Sequence, residues 1–265
     1  MIIGAQLYSV CGMCKDMNGV ERTLREMKNI GYDSVQVSGF QYDPNRVAEI
    51  AEEIGLHVGL THTSIPEIIN NTDAVIERHM ILGADTVGIG SPAGYVKNEG
   101  GVREFRIEDM IRDLTPAVCK IQEAGLNFGV HNHQYELWDL GGYNALDVLY
   151  EKTNWNFTLD TGWVDFTGND CVSIIKRFKD RLRYVHLKDF RAPLLGEGDN
   201  DIDNSNRVVP LYRGQTPVDK ILVALQEVGT CNVAYVEQDN ASHKEDPYAE
   251  MRASYEALRA HGWVE

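Results

Sequence analysis

The chain has 265 residues, with 25 Lys and Arg against 40 Asp and Glu, so its formal net charge is −15. An apolar fraction of 43% and a charged fraction of 25% are ordinary for a globular protein and argue against a disordered chain. The negative charge argues against nucleic-acid and anionic-membrane partners, because both need Lys or Arg to replace their counter-ions.

Targeting signals and disulfides are not expected from this sequence. No basic segment precedes an apolar stretch at the N-terminus, and no apolar run reaches the length of a membrane span, so we expect a cytoplasmic protein. Of the five cysteines, only those of Cys11-Gly-Met-Cys14 have the spacing of a metal-ligand pair. This pair lacks the second pair that a structural zinc site needs, so we interpret the cysteines as reduced.

A recurring unit organises the chain: an amphipathic stretch, then a glycine, then a short β-branched stretch. Glycine suits this place because a helix commonly ends on a left-handed residue. The five glycines are Gly31, Gly55, Gly83, Gly125 and Gly229. Asp43-Pro44, Thr216-Pro217 and Asp246-Pro247 predict helix starts. Pro116 lies inside a helical pattern, so we expect a kink or a break there.

These patterns predict eight strands and eight helices in alternation. In chain order, the strands cover 2–8, 34–38, 57–62, 86–90, 127–133, 156–160, 182–188 and 232–238. The helices cover 17–30, 44–54, 66–82, 107–124, 144–152, 169–179, 217–228 and 247–260. Eight such units predict an α/β protein, a single (β/α)8 TIM barrel that spans residues 1–265 as one domain. A doubly wound sheet is the alternative, because periodicity alone does not prove closure.

Polar residues gather where the predicted strands end, which is where barrels of this kind carry their active sites. Four consecutive strands offer one residue each to a common point, namely Glu136, Asp160, His186 and Glu237. Three carboxylates and one imidazole favour Mn²⁺ or Mg²⁺, although Co²⁺ and Zn²⁺ would also fit. His131 and His133 point to one face of their strand, so either of them could replace Glu136 as a ligand. Alternatively, the four residues cap helices or pair with Lys188 and Arg191.

The residues at the strand ends form four motifs, namely His131-Asn132-His133-x-x-Glu136, Leu159-Asp160-Thr161-Gly162, His186-Leu187-Lys188-Asp189 and Glu237. These motifs resemble those of the sugar phosphate isomerase/epimerase superfamily, the TIM barrels related to xylose isomerase and endonuclease IV. The chain departs from the family pattern at 211–215, where a Gly-Glu-Gly-like turn is usual. It departs again at Trp163, where related enzymes often carry a histidine.

The resemblance implies one divalent metal ion and a small carbohydrate substrate. It implies an isomerase or epimerase that abstracts a proton next to a carbonyl group to give a metal-bound enediolate. In this interpretation Glu136 and Glu237 are the bases, His133 or His131 is the alternative base, and Lys188 orients substrate oxygens. Substrate contacts are expected from Gln6, His62, His131, Trp163 and Asp189.

Two other functions remain open at this stage. A lyase or hydrolase of keto-glycosides or inosose-like polyols would begin with the same proton removal and continue by β-elimination. A non-catalytic sugar-binding barrel would keep the fold without the reaction. An uncharged sugar is favoured over a sugar phosphate, because the glycine-rich turn at 88–94 contains a proline and no following lysine. A monomer and a homo-oligomer are both compatible with the sequence, and the long irregular segment 191–215 is expected to shape the pocket.

Overall fold

The computed structural model describes residues 1–99, 102–191 and 207–265, so most of the irregular segment 191–215 lies outside the described residues. Eight parallel strands form a closed barrel. They are β1 (Ile2–Gln6), β2 (Ser34–Val37), β3 (His57–His62), β4 (Thr86–Ile89), β7 (Asn127–His131), β8 (Asn156–Asp160), β9 (Leu182–Leu187) and β12 (Val233–Val236). Around the barrel their order is β1-β12-β9-β8-β7-β4-β3-β2. The predicted (β/α)8 barrel is confirmed, and the doubly wound alternative is excluded.

Two small antiparallel ribbons lie outside the barrel sheet. One pairs β5 (Val96–Glu99) with β6 (Val102–Phe105), and the other pairs β10 (Asp189–Phe190) with β11 (Val208–Val209). Both follow barrel strands directly, so they belong to the loops at the carboxyl end of the barrel.

The helices pack around the sheet and follow the predicted pattern closely. They are α1 (Met17–Ile30), α2 (Pro44–Ile54), α3 (Ile65–Asn70), α4 (Thr72–Leu82), α5 (Ile107–Glu123), α6 (Ala145–Lys152), α7 (Thr161–Phe166), α8 (Cys171–Arg177), α9 (Val218–Val228) and α10 (Pro247–Ala260). All five repeat glycines have a positive φ, as expected for residues that end helices. Two differences are the division of the predicted helix 66–82 near Asn71 and the additional helix α7.

The predicted helix starts are right at two of three positions. The carboxylates of Asp43 and Asp246 accept hydrogen bonds from backbone N–H groups in the first turns of α2 and α10. Thr216 does not cap α9, because the helix begins one residue later than expected and its N-cap is Pro217. The backbone N–H of Thr216 donates to the carboxylate of Asp189. The expected break at Pro116 is absent, since α5 continues through it. Pro116 and Arg112, whose carbonyl loses its helical partner, are both on the exposed side of the helix, where water can replace the bond.

Aromatic side chains fill the barrel below its carboxyl end. The Tyr235 ring crosses the interior, and its hydroxyl lies 3.0 Å from Ser34 Oγ. A Cβ atom at Gly4 would lie 2.5 Å from this ring, and one at Gly59 would overlap its hydroxyl group. The interior is therefore a packed core, and a ligand must approach from the carboxyl ends of the strands.

All five cysteines are free thiols. Among the described residues, the helices are too short or too polar to cross a lipid bilayer.

Candidate metal centre

Four buried side chains at the ends of neighbouring strands converge above the barrel core. His131 ends β7, Asp160 ends β8, His186 lies near the end of β9, and Glu237 follows β12. One potential ligand atom from each residue lies within 4.8 Å of every other. We call these four residues the cation cluster. Charged and imidazole groups this deeply buried are costly unless they are paired or bind a cation.

The donor atoms of the cation cluster fit a divalent ion. His186 Nδ1 and Glu237 Oε2 lie 2.6 Å apart, and neither atom makes a hydrogen bond. Two lone pairs this close repel each other unless a proton or a cation lies between them. Two imidazoles and two carboxylates form a ligand set that suits borderline divalent metals better than Mg²⁺.

Glu136, an expected ligand, is not a member of the cation cluster. It lies in a short 3-10 helix five residues beyond the end of β7, and its Oε2 accepts a hydrogen bond from the backbone N–H of His133 at 2.8 Å. Its carboxylate therefore closes its own turn. Burial raises the pKa of Glu136 to about 7, although backbone hydrogen bonds oppose this shift. His131 belongs to the cluster and Glu136 does not, which agrees with the alternative in which a histidine replaces Glu136 as a ligand.

A buried lysine joins the cluster to a further carboxylate. Lys188 Nζ lies 2.9 Å from Asp160 Oδ2, 2.8 Å from Asp239 Oδ2 and 3.5 Å from Glu237 Oε2. Burial alone would raise the pKa of Asp160, but the ammonium group of Lys188 holds it well below its usual value. Burial raises the pKa of Glu237, and it raises that of Asp239 to about 6. The Lys188 ammonium lies 5.1 Å from the centroid of the Trp163 ring, on its face.

A cavity of about 550 Å³ opens directly above the cation cluster. It is bordered by the cluster residues His131 and Glu237, by Asp239, and by three residues that the sequence predicted, His62, His133 and Trp163. Burial, reinforced by neighbouring imidazoles, holds the pKa values of His62 and His133 well below the usual value, so both rings are neutral at pH 7. The hydroxyl-bearing residues on the rim are Tyr8, Ser38, Thr63, Ser64, Ser91 and Tyr135.

Two residues expected to contact substrate lie away from this cavity. Gln6 is fully buried, and its Oε1 accepts a hydrogen bond from the backbone N–H of Tyr8 at 3.1 Å. Asp189 accepts backbone hydrogen bonds from Gly214 at 2.8 Å and from Thr216 at 2.9 Å, and so fixes the loop that follows β11.

Two residues of the site were not selected from the sequence. Asp239 borders the cavity and pairs with Lys188; its position two residues after Glu237, at the end of the last strand, was a usable signal. Asn132 makes two hydrogen bonds to the backbone of Asp160, through Oδ1 at 2.8 Å and Nδ2 at 3.4 Å. These bonds fix β8 against the loop after β7, and nothing in the sequence indicated them.

Comparisons with known proteins place the chain in a wider family. A family model described as "Xylose isomerase-like TIM barrel" matches residues 24–261. An inosose dehydratase from Geobacillus kaustophilus is 33% identical over 91 residues, which are 33% of this chain and 29% of the relative. An inosose dehydratase from Lacticaseibacillus casei is 24% identical over 137 residues, 49% of this chain and 46% of the relative. The matched segments therefore span less than half the length of these relatives.

Solved structures resemble the chain over almost its whole length. A sugar phosphate isomerase/epimerase from Parabacteroides distasonis has a TM-score of 0.78 at 16% identity, with 99% of this chain and 95% of that chain covered. A D-allulose 3-epimerase from Methylomonas sp. has a TM-score of 0.73 at 14% identity, with 98% and 97% covered. The IOLI protein, described with a binding zinc atom, has a TM-score of 0.74 at 16% identity, with 98% and 97% covered. At these identities the resemblance concerns the fold alone.

Proposed function

Because the chain belongs to the xylose isomerase-like TIM barrel family, we propose that it is a metal-dependent lyase that acts on an uncharged keto-sugar or keto-polyol. The reaction begins with removal of a proton from the carbon next to the carbonyl group and ends with loss of the oxygen substituent on the following carbon. The observation that carries this proposal is the arrangement of acids at the cavity. Glu237 and Asp239 both border it, Lys188 lies between them, and Glu136 lies elsewhere.

The cation cluster would hold the metal through His131, Asp160, His186 and Glu237. A divalent ion bound there supplies positive charge that stabilises the carbonyl oxygen when the proton leaves. Mn²⁺ is our first choice, with Co²⁺ and Zn²⁺ next, because the two imidazoles make Mg²⁺ a poorer match. The zinc described for the structurally similar IOLI protein is compatible with this order.

The proton transfers are assigned to the two acids that border the cavity. Glu237 takes the proton from carbon, since its carboxylate borders the cavity beside the cation cluster. Asp239, with a pKa of about 6, donates a proton to the departing oxygen, which leaves as water from a polyol or as an alcohol from a glycoside. Lys188 stays an ammonium ion, because its three carboxylate partners raise its pKa well above the usual value despite burial. It keeps Asp239 oriented toward the cavity.

The substrate is proposed to be uncharged. The described residues that line the cavity include no lysine or arginine, while Glu237 and Asp239 are acidic. A phosphate or carboxylate group on the substrate would therefore meet Glu237 and Asp239 with no lysine or arginine side chain on the cavity wall to bind it.

An isomerase or epimerase is the second candidate, and the position of His133 favours it. Epimerisation needs a base on each face of the substrate. His133 borders the cavity, its ring is neutral, and its Nδ1 is buried without a hydrogen-bond partner. With Glu237 it would form a pair of bases in which His133 takes the role that the sequence gave to Glu136. The epimerases among the structural relatives agree with this candidate.

Incubation of the Mn²⁺-loaded protein in D₂O with an inosose and with a 3-keto-glycoside separates these functions. A lyase releases water or free aglycone and leaves an unsaturated ketone, which NMR and mass spectrometry detect. An epimerase gives a diastereomer that carries deuterium and loses no substituent. Asp160→Ala and His186→Ala variants should lose both metal and activity. If the wild-type protein retains no metal after Mn²⁺ is supplied, neither candidate reaction stands.

A further inference from the structure

The two ring nitrogens of His186 have different surroundings. Nδ1 faces the cation cluster, 2.6 Å from Glu237 Oε2 and 3.9 Å from Asp160 Oδ2. Nε2 points across the barrel interior and lies 2.7 Å from Oε1 of Gln36 on β2. Both His186 and Gln36 are fully buried, so water does not compete for either nitrogen.

The group opposite Nε2 decides whether His186 can bind a cation. A neutral imidazole carries one proton, and the nitrogen without it is the one that can coordinate a metal. The Gln36 carbonyl oxygen accepts the Nε2 proton, which leaves the lone pair of Nδ1 directed at the cluster. His131 is arranged in the reverse sense, because its Nδ1 lies 3.2 Å from the carbonyl oxygen of Gly90 and its Nε2 faces Asp160.

The two histidines differ in what fixes the proton. A backbone carbonyl oxygen, such as that of Gly90, can only accept a hydrogen bond. A side-chain carboxamide can present either an acceptor or a donor, so at His186 the choice depends on a replaceable residue. This makes Gln36 open to a test by substitution.

Packing alone does not explain a glutamine at this position. Gln36 lies opposite Gln6 in the β1–β2 register and points into the barrel, where branched apolar side chains are usual. The β2–β3 pairing shifts its register between Val35 and Gln36, and irregularities of this kind re-aim side chains beside functional sites. Gln36 Nε2 has no hydrogen-bond partner, so its bond to His186 is the interaction that its buried carboxamide makes.

We propose that Gln36 is a positioning residue for the cation site: its carbonyl oxygen fixes the His186 proton on Nε2 and so prepares Nδ1 to bind the metal. This inference rests on the proposed cation site and adds to it a residue that touches neither metal nor substrate. Outer partners of metal-bound histidines are typically worth 10- to 100-fold in metal affinity.

Mn²⁺ titration of chelator-treated protein provides the test. Gln36→Met keeps the length of the side chain but has no strong acceptor, and we expect it to bind Mn²⁺ about 10- to 100-fold more weakly than wild type. Gln36→Glu keeps the acceptor and removes the donor, and we expect it to bind at least as tightly as wild type. Wild-type affinity in Gln36→Met, or affinity in Gln36→Glu as weak as in Gln36→Met, would overturn the proposal.

Thr61→Val serves as the matched control. Thr61 Oγ1 lies 2.8 Å from Nε2 of His79, a second fully buried histidine, which is not part of the cluster. This variant also removes a side-chain partner from a buried imidazole. It should unfold at a lower temperature than wild type while its Mn²⁺ affinity stays the same. A parallel fall in affinity would mean that weakened binding reports general destabilisation.

A ¹⁵N NMR measurement on the metal-free wild type decides the matter even if a Gln36 variant does not fold. We expect Nε2 of His186 to carry a proton, and an unprotonated Nε2 would overturn the proposal. The two levels of inference also fail separately. If wild type binds no Mn²⁺, the proposed function fails, whereas normal binding that is lost in Asp160→Ala but kept in Gln36→Met removes only the role of Gln36.

Discussion

Replacement of Glu136 by glutamine separates the cation cluster of the structure, as a metal-ligand set, from the ligand set that the sequence favours. Glu136 is fully buried, and its carboxylate accepts the His133 N–H instead of facing the cation cluster. Glu136→Gln should therefore bind Mn²⁺ within about threefold of wild type. Asp160→Asn should bind Mn²⁺ more than ~100-fold more weakly than wild type, because replacing even an outer partner of a metal ligand typically costs 10- to 100-fold in metal affinity.

The same variant should change how stability depends on pH. Burial raises the pKa of Glu136 from 4.5 to about 7, so between these values the folded chain binds more protons than the unfolded chain. Its stabilising contribution is complete below pH 4.5 and is lost as the pH rises through 7. At about 1.4 kcal/mol per pH unit, the loss is about 3 kcal/mol, and Glu136→Gln should not show it.

Urea denaturation of metal-free protein at several pH values between 4.5 and 8 measures this effect. The difference in unfolding free energy, wild type minus Glu136→Gln, should fall by about 3 kcal/mol across the range. If this difference does not change with pH, the pKa of Glu136 is not raised by burial and the reasoning is refuted. A 100-fold loss of Mn²⁺ affinity in Glu136→Gln would refute the assignment of His131 as the fourth ligand and restore the set predicted from the sequence.

Three further variants test other parts of the structure. Lys188→Met leaves its buried carboxylate partners without a cation, so it should lower the unfolding free energy by about 3–5 kcal/mol at pH 7.5 and by less at pH 5, as urea denaturation would show. Gly214→Ala places a Cβ atom on the Asp189 carboxylate, so thermal unfolding should show an unfolding free energy that is lower by about 1–3 kcal/mol. An unchanged unfolding free energy would show that this loop moves aside. Burial lowers the pKa of His79 from 6.5 to about 4. The unfolding free energy of wild type should therefore fall by about 3 kcal/mol between pH 6.5 and pH 4, and that of His79→Gln should not show this fall. Equal acid sensitivity of the two proteins would contradict this prediction.

The fold was predictable because its signals are local. Each repeat glycine ends a helix at a positive φ, and this requirement is visible in the residue type itself. The helix α7 was missed because its start depends on Asp160, whose carboxylate accepts the backbone N–H of Trp163 at 3.0 Å. An aspartate selected as a metal ligand thus also caps a helix.

The positions of the candidate site residues were predictable from the sequence, but the directions of their side chains were less so. Asp160, His186 and Glu237 could be selected because they end barrel strands, and the structure brings them together. Whether His131 or Glu136 joins them depends on the turn after β7, where the His133 N–H captures the Glu136 carboxylate. Gln36 could not be found this way, since its importance comes from a contact across the barrel to a residue 150 positions later.

The tyrosine that crosses the barrel also limits how this sequence can drift in evolution. Tyr235 occupies the space that Cβ atoms would take at Gly4 and Gly59, and the three residues come from three different strands. A larger residue at either glycine is tolerated only after position 235 has become smaller, and the reverse change needs both glycines to be present first. Among homologues, positions 4, 59 and 235 should therefore change together, although they are far apart in the chain and none of them belongs to the cation cluster.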